Sequence, residues 1–373
     1  MIGRPENHWQ RAAAGIVERF TGRAVTKTTG SLHIRNPVNT DRLLALFVLA
    51  SMPAAIIGML SAGADYLAAI VAQPDLNTGW RMFALKAAGF STSPDGALAT
   101  LLLGLMIVAP LVLVATFTSI TWEIVFAALR RRPVDPGWPM ASWLFVLLLP
   151  PGTPLVLAAV GMTFGVVLGK HIFGGTGRYI ASPAVLGALF LHYAYPTLFA
   201  DMTIWHTTDK FGTAELMNQG MSWWQTFAHR ELGLLGTGSA LACAGGGLWL
   251  AVAGVASLRT LAGALFGLLL AATIASALGG TFAAHWHFAL GSFAFCWAFT
   301  LTDPTTLPLT RGGRWLHGIF FGVLVILMRE ADPTHPEGTL FAVLLAGLFV
   351  PLIDFAVLRA QHLLFGGQLE IET

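Results

Sequence analysis

The sequence predicts an all-α polytopic membrane protein of about ten transmembrane helices, arranged as two five-helix repeats of opposite sense. Three observations predict it. Of 373 residues, 55% are hydrophobic and 11% charged, with mean hydropathy +0.69, whereas a soluble domain is about 25% charged. Apolar stretches of spanning or near-spanning length recur along most of the chain. With ten spans and the N-terminus inside, 16 of the 21 Lys and Arg residues, Lys170 and Arg178 among them, fall on cytoplasmic segments. That asymmetry is the one that orients membrane proteins, and an odd number of spans would scramble it.

Taken in order, residues 1–41 are polar and basic, with no leader pattern. Trp9, Ile16, Val17 and Phe20 gather on one side with Arg11, Arg19 and Arg23 around them, as in an amphipathic arm lying on a cytoplasmic membrane surface. The apolar stretches follow at 43–62, 97–120, 140–149 joined to 155–169, 184–199, 233–255, 259–278, 286–302, 315–328 and 339–358. The third counts as two helices, because Pro150, Pro151, Gly152 and Pro154 interrupt it. Irregular backbone at membrane depth survives only where protein or a cavity satisfies it; an extramembrane hairpin between short helices would account for the same residues.

The chain thus divides into the arm, a first repeat at 42–199, an external linker at 200–232, a second repeat at 233–360 and a cytoplasmic tail at 361–373. Five spans per half make the halves run in opposite senses. SPAVLGALFLHYAYP near the end of the first half and EGTLFAVLLAGLFVP near the end of the second echo each other.

The net charge of +2, with no basic patch, argues against a nucleic-acid partner. Cys243 and Cys296 lie far apart inside apolar segments. They make neither a disulfide framework nor a CxxC site, so a redox cofactor would be organic or would share ligands with another chain. The histidines His171, His192, His285, His287, His317 and His362 include no i, i+4 pair and read as structural or interfacial.

Three carboxylates and one turn carry the candidate chemistry. Glu123, in SITWEIVFAALRRR, lies about two turns inside a helix end, where a carboxylate is costly and marks ion or proton handling; pairing with Arg130 to Arg132 or snorkelling would also suit it. Asp354 in LFVPLIDFAVL is similar. Asp303, in TLTDPTTLP, sits where Pro304 ends a helix, so it and freed carbonyls can bind a small cation; it also reads as a helix terminator. In FGGTGRYIASPAVLGALFLHYAYP, Gly174, Gly175 and Gly177 allow positive φ, and the turn with Thr176 and Arg178 can face an ion, a phosphate or a planar ring.

These strings, with TWEIVFAALR, LPPGTPLVLAAVGMTFGVVLGK, GSFAFCWAFTLTDPTTLPLTRGGRWLHGIFFGVLVILMR and PEGTLFAVLLAGLFVPLID, resemble the B subunit of the sodium-translocating NADH:quinone oxidoreductases (Nqr) and, less closely, the Rnf D subunits. The likeness runs from about Thr26 to Arg359. It implies ten helices in two inverted halves, a fold likened to urea and ammonium transporters. It implies a bacterial inner membrane with both termini cytoplasmic, and companion subunits that pass electrons from NADH through flavins to quinone while Na+ or H+ crosses.

By position, Glu123, Asp303 and Asp354 match acids of ion uptake, Gly174 to Arg178 match the signature turn near flavin and quinone elements, and Trp143, Pro151 and Gly152 fall where quinone is received. Family members carry FMN on a threonine of a motif like Asp-Gly-x-Ser-Gly-Ala-Thr. Here Asp209 and Gly212-Thr213-Ala214 are nearest, with the serine missing and the Ala-Thr order reversed, so covalent attachment at Thr213 is in doubt and non-covalent FMN or riboflavin is the other route. A channel or transporter for a small solute or ion, or a membrane anchor for partner subunits, would also use this architecture.

Overall fold

Two long apolar helices open the described chain. α1 spans Thr40–Ala72 and α3 Ala97–Arg130, with Pro53 and Pro110 inside them. The structure, a computed structural model, describes residues 40–72, 80–87, 89–90, 96–132, 134–135, 137–175, 177–179, 181–196, 222–228, 233–279, 283–331 and 338–365. The N-terminal arm, Thr176, Thr213 and the end of the tail lie outside the described residues. At 33 and 34 residues, α1 and α3 exceed the roughly 20 that cross a bilayer core, so they extend beyond it or tilt. Between them α2, Trp80–Ala87, buries Met82 and Leu85 against α3, an element the apolar-run reading does not contain.

The described residues are helical without a strand. α4 (Trp138–Leu147) and α5 (Leu155–Phe164) are separated at the Pro150 to Pro154 break, and α5 continues as a π-helical turn, Gly165–His171. Then come α6 (Pro183–Ala194), α7 (Trp223–Ala228), a 3-10 turn at Leu235–Thr237 and α8 (Ala240–Val252). α9 is Leu258–Ala277. The stretch expected as one span over 286–302 is instead α10 (Trp286–Ala289), α11 (Phe293–Phe295) and a second π-helical turn, Cys296–Thr300. α12 is Arg311–Ala331, and α13 (Gly338–Leu348) and α14 (Val350–Phe365) meet at a 45° bend.

Four of these, α1, α3, α9 and α12, are continuous, long and apolar enough to cross a membrane, and the α13–α14 pair is a fifth if counted as one span. Shorter apolar helices, α4, α5 with its π turn, α6 and α8, occupy other expected stretches. The protein is therefore a multi-pass membrane protein with much interrupted helix. The interruption at 290–292 has its own compensation. Gly291 takes φ 68°, and the Arg329 guanidinium from α12 donates to the carbonyls of His287 (2.7 Å) and Leu290 (2.6 Å), so the freed backbone stays satisfied.

The main core forms around α4 and the second π turn, where Phe145, Leu148, Phe295 and Phe299 are fully buried. Leu113, Phe117, Val252 and Ile274 are exposed, a surface that suits lipid tails.

α9 and α12 make the most extensive helix pair. It is built from Gly263 and Gly267 on one helix and Gly318 and Gly322 on the other, each couple four residues apart and so on one face. Without hydrophobic drive between helices in lipid, such small residues let backbones approach and gain dispersion contact. A Cβ at Gly318 would lie 2.8 Å from the Ala264 backbone nitrogen. Gly318→Ala is therefore expected to cost about 1–3 kcal/mol, read as a lower thermal midpoint of the purified assembly; an unchanged midpoint would mean that the pair yields freely.

Candidate ion-handling site

Glu123 lies on α3, two turns before Arg130, and is 1% exposed. Its partner is not the arginine cluster. The Lys170 ammonium, from the π turn after α5, is paired with Glu123 Oε1, and both side chains are 2% exposed. Lys170, counted in the charge pattern as a cytoplasmic loop residue, is thus a buried one, carried inward because its turn continues an apolar helix packed on α3. A buried carboxylate and a buried ammonium each cost several kcal/mol if left alone; together they are tolerated.

Three further groups surround the pair. His171 Nε2 lies 3.6 Å from Glu123 Oε2, and its ring stacks on Phe126 with centroids 4.2 Å apart. Arg130 donates to the His171 carbonyl and places its guanidinium 5.2 Å from the Phe126 ring centre. Asp135, in the α3–α4 connection, puts Oδ2 3.9 Å from the same Lys170 ammonium, with its side chain 35% exposed.

The glycine turn follows directly. Gly174, Gly175 and Gly177 have φ of 115°, 102° and 84°, a region closed to most L residues. Gly175 has a second reason to be glycine: a Cβ there would stand 2.5 Å from Asp135 Oδ2. Three of the turn's amides are committed internally. Gly174 donates to the His171 carbonyl, Gly175 to Lys170 and Arg178 to Gly175, each at 3.1 Å. These three N–H groups are therefore taken up within the turn, and the turn lies against Asp135, which also stands beside Lys170.

Asp303 follows the second π turn and is 2% exposed. Its Oδ1 accepts the Thr305 amide (3.0 Å) and the Thr305 hydroxyl, which is also hydrogen-bonded at 2.6 Å to the hydroxyl of Tyr179. Tyr179 belongs to the segment carrying the glycine turn, so two sites that the sequence offers separately are linked by one side-chain chain. Beside it, Ser182, Thr300, Thr306 and His317 line a small cavity with Ala181, Leu301, Val343 and Gly347, about the size that admits one water. His317 is buried, and its Nδ1 has no hydrogen-bond partner among the described residues.

Asp354 has a separate set of partners. From α14 it accepts the amides of Leu309 (2.8 Å) and Thr310 (3.1 Å) and the Thr310 hydroxyl (2.6 Å). Thr310 Oγ1 in turn accepts the Gly313 amide at 3.0 Å, the N-cap bond of α12. Asp354 thus plays from a distant helix the part a capping-box acid plays from within. Asp354→Ala is expected to cost about 0.5–2 kcal/mol, visible as faster amide exchange at the start of α12; unaltered exchange there would deny the capping role.

In the expected quinone region, Trp143 donates from Nε1 to Ser51 Oγ at 2.8 Å, while Pro151 and Gly152 are half-buried in the α4–α5 connection. Lys170, Asp135, Tyr179 and Thr305 are the site residues that sequence reasoning missed. A lysine directly after the apolar run VVLG was the available signal for the first.

Fold and site together define a multi-pass helical membrane protein with a buried, charge-compensated carboxylate and a second buried acid linked to its turn. The chain belongs to the NQR2, RnfD, RnfE family, which it matches over residues 27–362. Similar proteins include the B subunit of the Na(+)-translocating NADH-quinone reductase of Pseudomonas paraeruginosa, 36% identical over 359 residues, covering 91% of this chain and 88% of the relative. The same subunit from Azotobacter vinelandii is 34% identical over the same shares, and that from Klebsiella pneumoniae is 32% identical over 96% of this chain and 94% of its own.

Proposed function

We propose that this chain is the membrane subunit of an Nqr/Rnf-type complex in a bacterial inner membrane, with both termini cytoplasmic, coupling electron transfer from NADH to quinone to Na+ translocation. The observation that carries the reading is the buried Glu123–Lys170 pair beside Asp135 in a largely apolar membrane protein, because intramembrane ionisable groups are by default functional. Glu123 and Asp303 handle the cation, and Asp354 steadies the turn that leads from Asp303 into α12. Trp143, Pro151 and Gly152 face the quinone. The ten apolar stretches form two inverted five-helix repeats; the packing of α6 on α13 supports this, since these helices carry the two echoing segments.

Flavin enters this reading through Thr213, which lies outside the described residues. Denatured chain on a gel is expected to show no flavin fluorescence, given the reversed Ala-Thr order; a fluorescent band lost in Thr213→Val would place covalent FMN there.

The deciding experiment is NADH:quinone reduction by the assembled complex at varied Na+. Stimulation by Na+, with Na+ accumulation in proteoliposomes, is expected. Turnover indifferent to Na+ and H+ gradients, with solute uptake by this chain alone in liposomes, would replace the reading with that of a transporter, the role its departure from the FMN motif favours.

A further inference from the structure

Resting on the cation-coupled reading above, we propose that Lys170 is a tethered competitor of the transported cation. Its ammonium occupies Glu123 while no Na+ is present, and swings to Asp135 when Na+ takes the Glu123 carboxylate.

Stability alone does not account for the pair. Lysine is almost never fully buried unless paired, and apolar residues of similar volume commonly replace a buried ion pair without loss of stability, so stability does not require this pair. The surroundings supply what an exchange needs. Two carboxylates flank one ammonium: Glu123 on the buried side in contact, and Asp135 on the exposed side with Oδ2 3.9 Å from Nζ. A lysine stem of four carbons moves between them by rotamer change, without backbone motion. Gly175 is the residue that lets Asp135 stand so near, since a Cβ would lie 2.5 Å from its Oδ2.

Of the neighbouring cations, Arg130 is engaged: it binds the His171 carbonyl and faces Phe126. Nor does His171 block Oε1, because its Nε2 faces Oε2. The exchange leaves Glu123 compensated throughout, by ammonium or by Na+. It therefore avoids the bare buried carboxylate that would otherwise stand between one ion and the next.

An internal competitor lowers apparent affinity by the fraction of molecules in which the site is open. In the assembled complex, Lys170→Met is expected to lower the half-saturating Na+ concentration for quinone reduction by roughly tenfold, the factor for a site open in about a tenth of molecules. Its thermal midpoint should also become more dependent on Na+ than the wild type's, since Na+ alone then compensates Glu123.

Lys170→Arg should move the half-saturating concentration the other way, upward, because a guanidinium holds a carboxylate with two bonds. Opposite shifts are the signature. Shifts in the same direction, or none, would overturn the proposal while leaving Na+ coupling standing; a wild-type complex without Na+ dependence would instead remove the coupling itself. Should Lys170→Met fail to assemble, Lys170→Arg decides: a raised value supports competition, an unchanged or lowered one overturns it.

Discussion

Glu123→Ala is expected to abolish Na+ stimulation of turnover and to destabilise the assembled complex by about 3 kcal/mol, the lower end of what removing one partner of a buried pair costs. The lower end applies because the stranded ammonium has somewhere to go. Lys170 Nζ already lies 3.9 Å from Asp135 Oδ2, so the substitution leaves a displaced cation and a cavity, with no isolated buried charge.

A second variant separates the two losses. Glu123→Met with Lys170→Met removes both charges and leaves apolar side chains of similar volume, which typically costs little or nothing; stability should recover while Na+ stimulation stays absent. The readouts are the thermal midpoint of the purified complex and quinone reduction at varied Na+. Recovery of both would make the pair a folding element alone. Loss of Na+ response at normal stability would make Glu123 a ligand of the transported ion.

Membrane character and the long helices α1, α3, α9 and α12 were legible in the sequence, because uninterrupted apolar runs need no tertiary information to be recognised. So was the break at Pro150 to Pro154, where proline removes both a donor and helical freedom. The break inside 286–302 was not. The sequence there is largely apolar, with Gly291-Ser292 as its one local hint of a kink, and the Arg329 guanidinium that arrives from α12 to hold the opened carbonyls of His287 and Leu290 is a long-range contact no local pattern encodes. The paired glycines Gly263, Gly267, Gly318 and Gly322 were visible as spacing, yet which helix each couple faces depended on the fold.

The buried position of Glu123 was readable from its place in α3; its partner was not. A lysine at the end of an apolar run is ordinarily read as a loop residue, and the distance in sequence from 123 to 170 hides the contact. Tyr179 and Thr305 carried no signal at all, because each became part of a site only when the two turns met.

Asp303 offers the sharpest separation of charge from shape. Its Oδ1 accepts both the amide and the hydroxyl of Thr305, and hydrogen bonds to a charged acceptor are worth about 1.5–3 kcal/mol each. Asp303→Ala, which orphans both donors, is expected to cost about 3 kcal/mol or more by that figure and to free Tyr179 from the turn.

Asp303→Asn keeps an acceptor in the same place and weakens each bond by about half, so most of the thermal stability should remain. The Na+ response should not follow it. A neutral amide binds a monovalent cation far less well than a buried carboxylate, so both variants should raise the half-saturating Na+ concentration by about tenfold or more, the typical reach of a charged contact worth about 1.4 kcal/mol. If instead the Na+ response tracks the thermal midpoint, nearly intact in Asn and lost in Ala, the acid serves the Thr305 and Tyr179 hydroxyls, and the cation is bound elsewhere.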